Sequence, residues 1–270
     1  MKAVKLYENY HNFADGRIKM DMSIHAEYST VPSSCRYISD FALEKGLSLH
    51  IHLSETKSEH DACIEKYGVT PTEFFRQNGV FRVPVIAAHC VHLTDHDMKI
   101  MAEHGATAVH NPASNLKLGS GIARIENMLS ENINITLGTD GAASNNTLDV
   151  MKEAYLAAIL QKGSTGRTDS VPSGAFIKML TQNGAKMQGR VDCGKLAVGA
   201  RADLVMLDFD MVHVMPVYDY CDAFLYSANF SNVVMTMVDG KILYENGEYK
   251  TIDIEKTKYQ FRQITENYFK

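Results

Sequence analysis

The feature that most constrains this chain is an alternation: between Ile18 and Ser164, short apolar runs take turns with amphipathic stretches, five times over. Parallel strands need crossovers of about a dozen residues or more, usually helical, so this repeat predicts a parallel sheet covered by helices. The strands are expected at Ile18–Ile24, Ser48–Leu53, Val83–His89, Thr107–His110 and Ile133–Gly138. Ser33 and Ser34 are expected to cap a helix that stops at Gly46. Thr70, Pro71 and Glu73 form a start signal for another, and Thr94 opens one that closes at Gly105. Further helices are expected near Ile122–Ser130, Thr147–Gln161 and Ser173–Leu180.

Beyond Gly194 the texture changes. Ala202-Asp203-Leu204-Val205 and the stretch from Asn232 to Tyr249 alternate apolar residues around Asp239-Gly240, a strong hairpin signal. The expected division is a β/α region over 1–190 and an antiparallel region over 191–270. The latter closes with an exposed helix from Asp253 to Phe269 that packs back on the body.

A chain of 270 residues with 45% hydrophobic content can bury a large core. Its net charge of −5, with 27 basic residues dispersed along the chain, argues against a nucleic-acid partner. Five cysteines without a CxxC pair suit reduced thiols in the core of a cytoplasmic protein. No stretch approaches the roughly 20 apolar residues that span a bilayer, and the N-terminus lacks the apolar segment of a secretory signal.

The strand ends carry the chemistry. His52-Leu53-Ser54-Glu55, Ala88-His89, His110-Asn111 and Thr139-Asp140-Gly141 each place a polar group where a strand gives way to a loop. Barrels gather catalytic side chains at this end of their strands. His-x-x-Glu alone is a weak signal; four such ends in succession point to a metal-dependent hydrolase. A catalytic zinc takes about three protein ligands and keeps a position for water, and His52 and Asp140 supply two. His60, His96 and His104 fall in or beside expected helices and are read as solvated. Cys90 and His92 are read as core or loop packing, and His110 as shaping its loop.

The segments His50–Thr56, Ala87–His92, His110–Leu118 and Gly138–Asn146 resemble the signatures of the amidohydrolase superfamily, specifically the 5'-methylthioadenosine / S-adenosylhomocysteine deaminases. The resemblance covers essentially the whole chain. It implies strands 4 to 8 of a (β/α)8 TIM-type barrel of the metal-dependent hydrolase kind, with C-terminal strands of a small β-sandwich. It implies one divalent metal, zinc or iron, held by His52 and Asp140, with Asp140 also taking the proton of the attacking water. Glu55 would protonate the substrate ring nitrogen, His89 would hydrogen-bond the attacking oxygen, and His25 would contact substrate. Substrate contact is implied for Glu55 and Asp140 as well. The expected substrate is an adenine nucleoside; the alternatives are a chlorohydrolase or guanine-deaminase-like hydrolase.

The same resemblance implies an opening His-x-His on the first barrel strand, and none is found upstream of Ile18. Only five β/α units precede the antiparallel region, whereas an eight-stranded barrel takes about 250 residues. His50-Ile51-His52 is not the missing pair, because His50 would sit about 6.6 Å deeper along the strand. The chain is therefore expected to be N-terminally incomplete, with two open sheet edges and a half-exposed apolar interior. It would pair as a homo-oligomer or with a complementing N-terminal segment, unless it is an inactive fragment. By itself it is expected to bind metal poorly and to deaminate negligibly.

Overall fold

Five parallel strands in the order β1-β2-β3-β4-β5 organise the first part of the chain. The structure is a computed structural model that describes residues 2–268. The elements run α1 (Lys2–Tyr10), β1 (Met22–Ile24), α2 (Pro32–Lys45), β2 (Leu49–Leu53), α3 (Lys57–Tyr67), α4 (Pro71–Gln77), β3 (Val85–His89), α5 (Asp95–Glu103), β4 (Thr107–His110), α6 (Pro112–Lys117), α7 (Ile125–Ser130), β5 (Asn134–Leu137), α8 (Ala142–Asn145), α9 (Val150–Thr165), α10 (Ser173–Leu180) and α11 (Gln182–Met187). Sequential strands are neighbours, as in a barrel wall, and β1 and β5 are the sheet's two edges. One face is packed by Leu49, Ile51, Leu53, Val85, Ala87, Ala108 and Ile135, all buried. On the other face of β2 the exposed His50 and the half-buried His52 alternate with them.

Several helices start where local chemistry dictates. Thr70 Oγ1 accepts the Glu73 amide at 3.2 Å, and Thr94 Oγ1 accepts the Asp97 amide at 3.1 Å. The cap expected at Ser33 and Ser34 is not used. Pro32 presets the first helical φ, so α2 opens after Val31 and both serines lie inside its first turn. Gly46 ends α2 in the left-handed conformation, φ 64°. The first strand is shorter than expected, because residues 11–17 form turns and only Met22–Ile24 pairs with β2. Helix α3, absent from the expected elements, begins in a capping box formed by Thr56 and Glu59.

Residues up to Gly189 form one compact unit and those from Arg190 another. The second unit holds β6 (Leu204–Leu207), α12 (Tyr220–Tyr226), β7 (Val233–Val238), β8 (Lys241–Glu245), β9 (Glu248–Tyr249) and α13 (Ile254–Tyr268). Its strands form an antiparallel sheet in the order β6-β7-β8-β9, with Asp239 and Gly240 turning the expected hairpin at φ 52° and 77°. α13 forms on the expected residues and none of them is buried; Phe269 lies outside the described residues. Cys193 and Cys221 are half-buried rather than core residues, because this small sheet has little interior to offer. Among the described residues no helix is long and apolar enough to cross a membrane.

Candidate active site

The C-terminal ends of the parallel strands are strained. Ser54 after β2, His89 and Cys90 at the end of β3, and Asp140 after β5 all take positive φ, at 47°, 72°, 53° and 62°. None is glycine, and a left-handed L-residue costs roughly 1–2 kcal/mol. Such strain gathers where a site requires it. Gly138, just before Asp140, has no room for a side chain: a Cβ there would stand 2.6 Å from the Asn111 side chain and 2.8 Å from Val109 Cγ1.

Three imidazoles line up across β1, β2 and β3. The His25 and His52 ring centres are 4.9 Å apart, and His52 stacks on His89 at 5.3 Å. His52 Nδ1 donates to the His25 carbonyl oxygen at 2.9 Å, which fixes the tautomer and leaves the Nε2 lone pair free. His89 Nδ1 donates to Asn115 Oδ1 at 2.8 Å, so its Nε2 faces Glu55 Oε2, 3.6 Å away. His25 is exposed at the rim, bonded through Nδ1 to Ser29 Oγ at 2.8 Å.

Two carboxylates complete the cluster. Ser120 Oγ donates to Glu55 Oε1 at 3.2 Å. Asp140 accepts Ser114 Oγ and the Gly141 amide, each at 2.6 Å. Partial burial works to raise the Asp140 carboxyl, but these two bonds and the nearby His89 hold it below the usual carboxylate range. Asp140 is therefore ionised at neutral pH.

The strand-end reading overlooked Glu153 on α9. It is fully buried, accepts the Ala113 amide at 3.0 Å and Asn145 Nδ2 at 2.8 Å, and so ties the loop after β4 to the one after β5. Burial pushes its carboxyl up against those two donors. Its sequence signal is only a glutamate in the first turn of a helix whose middle, from Ala154 to Leu160, is apolar apart from the Tyr155 hydroxyl.

Other histidines separate as follows. His96 and His104 are exposed, as expected. His60 is not solvated: it is buried, its Nδ1 lies 3.2 Å from Ser54 Oγ, and burial pushes its imidazole down. Its side of α3 turns toward the sheet. His92 Nε2 donates to the Ser120 carbonyl at 2.7 Å and Cys90 Sγ to the Ala87 carbonyl at 3.4 Å, packing roles in both cases. His110 is buried under the strand end rather than shaping a loop, with neither ring nitrogen bonded, and burial pushes it down to about 3.

The chemistry of the donor set fits part of a metal shell. His52 offers an imidazole nitrogen and Asp140 an ionised carboxylate, both of the kind zinc takes. Among the described residues no group of three His, Cys, Asp or Glu side chains comes together to hold a metal ion.

With this geometry in view, comparison with known proteins defines the class. Residues 2–243 match the Amidohydrolase family, and the chain belongs to it. It is similar to the 5-methylthioadenosine/S-adenosylhomocysteine deaminases of Acetivibrio thermocellus, at 43% identity over 98% of this chain and 62% of the relative, and of Caldanaerobacter subterraneus subsp. tengcongensis, at 41% over 97% and 61%. The chain thus spans about three-fifths of the length of these relatives. Among solved structures it resembles a zinc-bound adenosine deaminase from Xanthomonas campestris, with a TM-score of 0.93 and 28% identity over 98% of this chain and 60% of that one. An atrazine chlorohydrolase from Arthrobacter aurescens shares the fold, with a TM-score of 0.90 and 23% identity over 96% and 58%. The α/β architecture, with its five barrel-type parallel strands and a separate antiparallel sheet, is that of amidohydrolases.

Proposed function

We propose that this chain carries the acid–base side of a metal-dependent aminohydrolase site acting on an adenine nucleoside such as 5'-methylthioadenosine or S-adenosylhomocysteine. The observation that carries the reading is the convergence at one sheet end of the ionised Asp140, the His25–His52–His89 row and Glu55. His52 and Asp140 would hold one divalent ion, zinc or iron, which when bound supplies a Lewis acid that makes water nucleophilic at neutral pH. Asp140, kept ionised by Ser114 and the Gly141 amide, accepts the proton of the attacking water. Glu55, oriented by Ser120 and facing His89, delivers a proton to the ring nitrogen beside the carbon that bears the amine. His89, held by Asn115, hydrogen-bonds the attacking oxygen, and His25 contacts the substrate from the rim. A carbon–oxygen bond forms, the carbon–nitrogen bond breaks, and the nitrogen leaves as ammonia. The chlorohydrolase likeness, at 23% identity, bears on the fold alone.

Two donors fall short of the three or so that a catalytic zinc takes. The remaining ones come from a complementing segment or a second copy of the chain, within the cytoplasm where its unpaired cysteines stay reduced. Protein isolated from its own cells is the preparation in which such donors would be retained. That preparation is expected to hold stoichiometric zinc by elemental analysis and to release ammonia from 5'-methylthioadenosine, whereas the recombinant 270-residue chain holds little. Asp140→Asn should cut turnover by about 10²–10⁴-fold with the fold intact by circular dichroism. Unchanged turnover in that variant overturns the role of Asp140, and release of ammonia from neither nucleoside overturns the activity.

A further inference from the structure

Next to the loop that carries Glu55 lies a pair of carboxyl groups with no part in this chemistry. Glu27 sits in the short 3-10 turn Glu27–Ser29 that follows β1; it is 1% exposed, and neither of its oxygens is hydrogen-bonded by another residue's N–H or O–H, its own backbone amide alone favouring the charged form. Within hydrogen-bonding reach is Glu59 of α3, whose Oε1 is equally buried and equally without a donor. An ionised carboxylate stripped of water and donors costs several kcal/mol, and a second one facing it adds repulsion. One proton between them removes both costs, since a protonated carboxyl is itself a donor.

Among the described residues no cation acts on Glu27, and Lys66 acts instead on the neighbouring Cys63. On α3 the Cys63 thiol is pushed up to about 12, by burial first and then by Glu27 and Glu59. Tyr28, beside Glu27, is raised by burial and then by Glu59, Glu55 and Glu27. Helix α4, packed on the same turn, carries the buried Thr72, whose hydroxyl has no partner. Burial, followed by the charge of Glu59, pushes the Glu27 carboxyl up to about 8. The far side of Glu59 is already committed: its Oε2 accepts the Glu55 amide at 3.0 Å and the Thr56 amide at 3.3 Å.

We propose that Glu27 and Glu59 share one proton across a buried carboxyl–carboxylate contact, and that this proton holds Glu59 where it fixes the backbone of Glu55. The two glutamates are positioning residues; their importance for turnover rests on reading Glu55 as the proton donor, but the shared proton does not. A carboxyl raised in the folded state above its unfolded value, 4.5, stabilises the fold fully below 4.5 and loses that contribution as pH rises through about 8.

Infrared spectroscopy of the whole protein tests the proton directly. A deuterium-sensitive carbonyl band of a protonated carboxyl is expected at neutral pH, lost above about 8 and absent from Glu27→Gln, whose amide donates to Glu59 in its place. Glu59→Gln, which offers Glu27 a donor and lets it ionise, should also lack the band. Hydrogen exchange reads the positioning: after correction for the intrinsic rate, protection of the Glu55 and Thr56 amides should fall above about pH 8 in the wild type and persist in Glu27→Gln. The thermal midpoint should likewise fall between 4.5 and about 8 in the wild type and stay flatter in that variant. No band at neutral pH, or identical exchange profiles in both proteins, overturns the proposal. None of these readouts needs turnover, so they stand or fall apart from the deaminase reading, which fails only if the zinc-containing preparation from its own cells releases no ammonia.

Discussion

The two sheets bury their strands to opposite degrees. Every residue of β3 in the parallel sheet is buried, whereas β6 in the antiparallel sheet buries none. They also use the same unusual backbone for different ends. In the antiparallel sheet Asp239 and Asn246 take positive φ to close two-residue turns, each followed by a glycine. In the parallel sheet Ser54, His89, Cys90 and Asp140 take it where no hairpin is being closed. Left-handed residues that follow a turn rule describe the chain path; those that break local rules mark the site, because only surrounding contacts can hold them there.

Four substitutions would break or sharpen this contrast. The largest effect is expected at Phe75 on α4, which is fully buried: Phe75→Ala should cost about 3–5 kcal/mol in denaturant unfolding. Phe230, 76% exposed in the other unit, should change stability by less than about 0.5 kcal/mol when replaced by alanine. Equal costs would mean that the two units do not differ in how they are stabilised. A smaller loss, about 1–2 kcal/mol, is expected for Asn246→Ala at φ 48°, with zinc content unaltered; a changed zinc content would tie the hairpin to the site. The mildest change is Ser114→Ala. Losing this donor lets the partly buried Asp140 carboxyl rise, so the acid limb of the pH–rate profile should move to higher pH. The sign follows from the need for an ionised base: activity is present above the carboxyl's folded value and lost as pH falls through it. An unmoved acid limb would detach that limb from Asp140.

Much of the fold was legible because its signals are local. Thr70-Pro71-Thr72-Glu73 and Thr94 with Asp97 start helices through bonds three residues away, and Asp239-Gly240 closes its turn through its own φ preferences. Helix α3 carries the same kind of local signal in Thr56-Lys57-Ser58-Glu59, directly after the strand-end motif His52–Glu55. Helix α1 and the unused serine cap show the limit of such cues, since Pro32 outweighs Ser33 and Ser34. At the candidate site, residue identity was legible and environment was not. His60 and His110 look alike as isolated letters with solvated or loop neighbours, yet both are buried.

By itself the sequence determined the β/α alternation, the antiparallel hairpin and the polar groups at the strand ends, each set by interactions within a few residues. The tertiary structure alone decided the state of those groups. His52 receives its tautomer from His25, His89 its orientation from Asn115, Asp140 its charge state from Ser114, and Glu27 its proton from facing Glu59. Each pair is separated by more than twenty residues in the chain. Protonation and hydrogen bonding follow burial and partner, and these exist only once the sheet has brought its strand ends together.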